Sequence, residues 1–325
     1  MEKIKNQKTK WWKSRGSMIY FAIIGICIIF SFLVPNFFSL VNLTSILTTM
    51  CFICILSLGV TFVLTTGEID ISIGAMMSVA PCTIAVMYQA GVHIVIAFIC
   101  ALLLTLLMGL GNGLVVSVCR VPSFIATLGM QGIAMGYTRI ITGNKPVAME
   151  NEDILNVFGG TLGGIPKMIL WMLVLLAAAY FILHKMQFGR NLHCVGDNRG
   201  AAEIYGLNVK RYVTMSFVLA SGFVFFAGVI DMARSSFATV GAGESIVLNA
   251  IVASVIGGTS LAGGKGTAIG AFAGSFFLAI ISNALFNMGF MPWVTNIIVG
   301  TVIIGILTVS GFMEKRSKEK AGLIA

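Results

Sequence analysis

Residues 92–118 read VHIVIAFICALLLTLLMGLGNGLVVSV, 27 residues without a single Asp, Glu, Lys or Arg. A helix that crosses about 30 Å of hydrocarbon needs about 20 apolar residues. This run exceeds that length and closes its own backbone hydrogen bonds, as lipid requires. Nine more apolar stretches can be marked, at 17–34, 43–65, 70–89, 122–142, 167–184, 213–233, 246–262, 267–286 and 291–312. The chain is therefore expected to be an all-α polytopic membrane protein with about ten transmembrane helices.

Composition agrees with that solvent. Of 325 residues, 58% are hydrophobic and only 10% charged, with a mean hydropathy of +0.98. A soluble domain carries about 25% charged residues to wet its surface. The 37 glycines suit close backbone approach between helices in a membrane. The longest polar loops, 143–166 and 185–212, are too short to hold a soluble core. The expected organisation is a basic tail (1–18), one transmembrane unit (19–312) and a short tail (313–325). The first apolar run is read as a transmembrane helix, since Phe32, Leu33, Val34 and Pro35 follow it in place of a small-residue cleavage site.

The net charge of +9 is a topology signal. Seventeen of the 21 Lys and Arg residues lie before the first stretch, after the tenth, or in the loops after the fourth, sixth and eighth. Arg139, Lys145, Lys167 and Arg234 fall on the other side. The positive-inside rule then puts both termini in the cytoplasm and loop 143–166 outside. The same distribution argues against a nucleic-acid-binding patch.

Several residues only look chemical. Gly264-Lys265 resembles the end of a phosphate-binding loop. That motif needs Gly where Thr259 stands and Ser or Thr where Gly266 stands. Nucleotide chemistry must come from a partner. His93, His184 and His193 are scattered, and Cys51-x-x-Cys54 lies inside an apolar run without further ligands. No metal, cofactor or catalytic residue is expected.

Four segments are more specific. Thr65-Thr66-Gly67-Glu68-Ile69-Asp70-Ile71-Ser72-Ile73-Gly74-Ala75 puts two carboxylates between apolar spans. Either these are functional charges at membrane depth, or the segment is a short cytoplasmic turn in which Asp70 caps the next helix. In Val121-Pro122-Ser123-Phe124-Ile125-Ala126-Thr127-Leu128-Gly129, Pro122 suits a helix opening. In loop 188–208, Asp197 or Asn198 can cap a short helix from Arg199 to about Tyr205, with Gly206 as its terminator. Small Ala201 and Ala202 would let such a helix approach another protein closely. Finally, Leu248 to Thr267 is a glycine-dense run, the kind of broken helix that membrane depth tolerates only against a protein-walled cavity.

In this order the four segments resemble the ribose-type permeases of bacterial ABC sugar importers, within the monosaccharide and branched-chain amino acid permease superfamily. The likeness runs from about Asn36 to Val309. It implies a type II importer fold, pairing with a second permease subunit, two cytoplasmic ATPase subunits, and an extracytoplasmic sugar-binding protein. It also implies that loop 188–208 is the coupling helix, with Gly189, Arg190, Gly196, Asn198, Ala201, Ala202 and Gly206 at the ATPase. Asp70, Ser72, Asn112, Asn249 and Thr259 are the candidates for the substrate path. Two departures bear on the solute. Glu68 stands where the family usually has Gly, and Asn249 stands where it usually has Asp. Glu68 is accordingly expected to tune substrate handling rather than folding. Alternatives within the same architecture are a nucleoside, an autoinducer-2-like solute or a branched-chain amino acid. A membrane-embedded enzyme would need catalytic groups clustered at one depth, and the deep polar positions are mostly Ser, Thr, Asn and Gly.

Overall fold

A computed structural model describes residues 15–308, apart from 292, 295, 296, 302, 303, 306 and 307, with side chains from residue 19. Most of the 1–18 tail and all of the 313–325 tail lie outside the described residues, and the 291–312 stretch is described only in part. The helices are α1 (Arg15–Leu33), α2 (Leu40–Thr65), α3 (Ile73–Met76), α4 (Val79–Gln89), α5 (Ile94–Ser117) and α6 (Ser123–Thr142). There follow α7 (Glu152–Phe158), α8 (Lys167–Tyr180, prolonged by a π turn over Phe181–Lys185), α9 (Gln187–Asp197) and α10 (Arg199–Ile204). The series ends with α11 (Val209–Ser235), α12 (Val247–Ile256) and α13 (Ala268–Asn287).

Five of these are long and apolar enough to cross a membrane: α2, α5, α8 with its π turn, α11 and α13. Ile19–Leu33, Ile73–Gln89 and α12 are shorter apolar helices. Two expected spans are interrupted. The third breaks between α3 and α4. The eighth stops at Ile256, where the glycine-rich run begins, and residues 257–267 continue without helix.

At the centre stands α2, whose Ser39 cap accepts a hydrogen bond from the Asn42 amide at 3.2 Å. Every residue from Met50 to Thr65 is buried, against α8, α11, α12 and α13. By contrast α5 shows how lipid inverts the usual pattern. Its buried stripe includes Ala97, Ala101, Thr105, Gly109, Asn112 and Gly113, while Ile99, Leu103, Leu107 and Val118 are exposed. Small residues face protein and large apolar ones face outward, because contact rather than burial from water drives association in a bilayer. At Gly113 a β-carbon would lie 2.7 Å from the Thr214 Cα, and at Gly109 it would lie 2.7 Å from the Ser221 Cβ. These two glycines, four apart on one face, set how closely α5 meets α11.

The connecting segments gather in two clusters, at the two ends of α6. At one end, strand β1 (Val147–Ala148) pairs antiparallel with β4 (Phe237–Ala238), and Gln89 donates to the Ala148 carbonyl at 3.0 Å. There a β2–β3 hairpin (Thr161–Leu162 with Ile165–Pro166) and α7, capped by Asn151, organise loop 143–166. At the other end the 66–72, 119–122, 186–208 and 257–267 segments meet.

Candidate functional site

The end of α2 sets up that second cluster. The Thr66 hydroxyl and amide both return to the Val63 carbonyl, at 2.7 and 3.0 Å. Gly67 then turns the chain with φ +79°, a conformation that costs glycine little. Residues 68–72 run on without helix, and two of their amides find partners on α6. Ile69 N–H donates to Ser123 Oγ at 3.1 Å and Ile71 N–H to Thr127 Oγ1 at 3.3 Å.

Inside this turn a polar group closes on itself. Asp70 Oδ1 accepts from the Ser72 amide at 2.9 Å and the Ser72 hydroxyl at 2.6 Å. The Ser72 oxygen accepts from Asn112 Nδ2 on α5 at 2.9 Å. Asp70, Ser72 and Asn112 are 2%, 0% and 1% exposed, so the network is internal. Ser72, not Asp70, occupies the cap position of α3; neither side chain accepts from an amide of that helix, although the Ser72 hydroxyl also lies 3.2 Å from the Met76 sulfur. Holding a carboxylate here, with no cation in contact among the described residues, costs free energy that packing alone would not demand.

A second polar set lies where α2 meets α12. Thr61 Oγ1 and Ser254 Oγ are 2.8 Å apart. Thr259, one turn beyond, is buried, and its hydroxyl has no partner among the described residues. Asn249 is only half-buried near the start of α12. Hydrogen bonds thus join three of the five predicted path residues, Asp70, Ser72 and Asn112. Asn249 and Thr259 belong to the α12 side and are not bonded to that group.

The 188–208 segment holds two helices where the sequence suggested one. α9 buries Gly189, Leu192 and Val195. Its signal was the apolar spacing of Phe188, Leu192 and Val195, at i, i+4 and i+7. At α10 the competing cap candidates are resolved. Asn198 accepts from the Ala201 amide at 3.0 Å, while Asp197 ends α9. Gly206 takes φ +80°, its amide bonds the Glu203 carbonyl, and the Leu207 amide bonds the Ala202 carbonyl. That pair of bonds is the glycine-terminated Schellman stop.

Burial corrects one expectation. Ala202 faces its own chain, among Val195, Val209 and Val213, and so offers no surface to another protein. Gly189 is buried as well. Gly196 touches the α2 terminus so closely that a β-carbon would collide with the Thr65 carbonyl. Arg190, Asn198 and Gly206 are exposed and Ala201 is half-buried. The outward-facing apolar residues are Ile204 and Tyr205, 87% and 85% exposed, and the sequence reading did not single them out.

This two-helix unit is clamped to the rest of the cluster. The Gly264 amide donates to the Thr65 carbonyl at 2.9 Å, and His193 Nδ1 lies 3.2 Å from the Gly264 carbonyl. Arg199 donates to the Thr66 carbonyl at 3.0 Å and pairs with Glu68. Glu68 is therefore tied to the α9–α10 unit rather than to Asp70.

Comparison with known proteins identifies the family. Residues 42–307 match the family model described as the permease component of branched-chain amino acid transport systems. The chain is 34% identical over 298 residues to ribose import permease protein RbsC of Escherichia coli K12, covering 90% of this chain and 92% of that protein. It is 32% identical over 303 residues to autoinducer 2 import system permease protein LsrC of Klebsiella pneumoniae, covering 93% and 88%. It is also 32% identical over 304 residues to the probable ABC transporter permease YphD of E. coli K12, covering 94% and 91%. No solved structure matches the chain. By that family match, and by relatives aligned over nearly their whole length, the chain belongs to the family of branched-chain amino acid transport system permease components, as a multi-pass inner-membrane transport subunit rather than an enzyme.

Proposed function

We propose that this chain is the membrane-spanning subunit of an ATP-binding cassette importer, of type II architecture, that moves a ribose-like monosaccharide inward. The observation that carries the reading is the near-full-length likeness to a ribose import permease. The geometry supports it. The Asn198-capped α10, with its exposed Ile204 and Tyr205, suits docking into a cytoplasmic ATPase. Asp70, Ser72 and Asn112 offer carboxylate, hydroxyl and amide groups of the kind that meet a sugar. They are closed off here, and alternating access driven by ATP in the partner would open them. Asn249 on α12 and Thr259 beyond its end belong to the same path.

Ten crossings are the accompanying reading. Its support is the five long apolar helices, the three shorter ones, α6, and the helical residues among those described between 293 and 308. The end that gathers 66–72, 186–208 and 257–267 is then cytoplasmic, as are both termini. The opposite end receives a sugar-binding protein, and a second permease copy or a related subunit completes the path. Import of an autoinducer-2-like solute is the second reading, favoured by the LsrC likeness. Competition separates them. In vesicles holding the whole complex, unlabelled ribose should displace labelled ribose uptake where autoinducer 2 does not. The reverse order of potency would assign the second solute.

A further inference from the structure

Arg199 is the first residue of α10, directly after its Asn198 cap. Its guanidinium reaches across to the end of α2, donating to the Thr66 carbonyl at 3.0 Å and pairing with Glu68. Those two acceptors flank Gly67, where the chain leaves α2 and turns toward Asp70. The contact therefore grips the hinge of the segment that carries the buried Asp70–Ser72–Asn112 network. The Glu68 side chain is 12% exposed and that of Arg199 48%, so the pair is partly shielded from solvent at the Glu68 end. Beside it opens a cavity of about 390 Å³, lined among others by Glu68, Arg199, Arg120, Lys210 and Glu203. That space gives the two side chains room to separate, and its charged residues lie alongside apolar ones such as Val116, Pro122 and Val213.

We propose that Arg199 and Glu68 are a positioning pair that transmits displacement of the α9–α10 unit to the 66–72 turn, so that movement at the coupling end re-aims Asp70 and Ser72. The inference rests on the proposed docking of α10 on an ATPase. It assigns Glu68 to energy coupling, not to recognition of the solute. Neither side chain touches substrate in this role. A partly shielded ion pair held additionally by a backbone carbonyl suits it, because such a contact is directional yet reversible.

The test uses the complete complex in lipid vesicles, with Glu68→Gln, Arg199→Gln and the double variant. Three readouts are taken: ATPase subunit retained on purification, ATP hydrolysed, and labelled solute accumulated. Each single variant should retain the ATPase and lower solute moved per ATP by about threefold. The double variant should be no lower than Arg199→Gln, because that single already removes both the ion pair and the bond to the Thr66 carbonyl. Glu68→Asp, which keeps the charge, should lie closer to the wild-type ratio than Glu68→Gln. Wild-type ratios in the single variants would overturn the proposal. So would losses that multiply to about ninefold in the double, as independent effects do. Loss of the ATPase from Arg199→Gln alone would make Arg199 a docking residue and also overturn it. The docking itself is tested separately by Ile204→Asp with Tyr205→Asp. If that variant retains the ATPase, the docking face is wrong whatever the 68–199 cycle gives.

Discussion

Asn112 donates its side-chain amide to the Ser72 hydroxyl across 2.9 Å, and so fastens the middle of α5 to the start of α3. The two residues are 40 apart in sequence and both are almost wholly buried. Because the same hydroxyl donates to Asp70, this one bond orients the only carboxylate buried among the described residues.

Replacing Asn112 by Ala removes that donor and leaves the Ser72 oxygen short of a partner. Such a loss in a buried network costs about 1–3 kcal/mol. The thermal midpoint of the purified protein should fall accordingly. Solute uptake at matched protein levels should fall by about tenfold, the equivalent of 1.4 kcal/mol. Uptake at the wild-type level would mean that the network only braces the fold.

The α5–α11 contact gives a prediction about assembly alone. Gly113→Leu forces a side chain into the Thr214 backbone, which a β-carbon would already approach to 2.7 Å. Overpacking of this kind costs about 1–3 kcal/mol. Detergent-solubilised protein should melt earlier, and Gly129→Leu, where a β-carbon meets nothing within 4 Å, serves as the control that should not.

At α10 the prediction turns on which residues face inward. Ala202→Trp should destabilise the permease itself, because Ala202 packs on Val209 and Val213 of α11. Tyr205→Ala should leave the thermal midpoint within about 0.5 kcal/mol of wild type, as exposed substitutions do, yet reduce ATPase co-purification. Equal melting of both variants would place Tyr205 in the permease core instead.

Orientation is open to labelling in intact cells. A single cysteine introduced as Asn151→Cys should react with a membrane-impermeant maleimide, and one introduced as Lys318→Cys should react only after the cells are opened. The opposite pattern would invert the topology read from the Lys and Arg distribution.

Much of this was legible in the sequence, for local reasons. Apolar runs reveal the long helices because lipid demands them. A cap at Asp197 or Asn198 and the Gly206 stop are short-range chemistry, readable in the sequence, while the choice of Asn198 is seen only in its bond from the Ala201 amide. What stayed hidden depends on distant partners. Nothing near Glu68 announces Arg199, 131 residues away, so Glu68 looked like a substrate residue beside Asp70. The inward turn of Ala202 depends on α9, whose apolar spacing at 188, 192 and 195 is short and diluted by the polar residues around it. The early end of α12 at Ile256 follows from glycines that favour backbone contact over helix, and composition alone does not say where that trade begins.

As the membrane subunit of an importer, the protein should move solute only when its partner hydrolyses ATP. The permease, its ATPase and its binding protein are reconstituted in vesicles, and labelled ribose is followed with ATP, without ATP, and with the ATPase omitted. Ribose should accumulate above the outside concentration in the first case and not in the other two. Equal entry in all three would show a passive channel and contradict the importer reading.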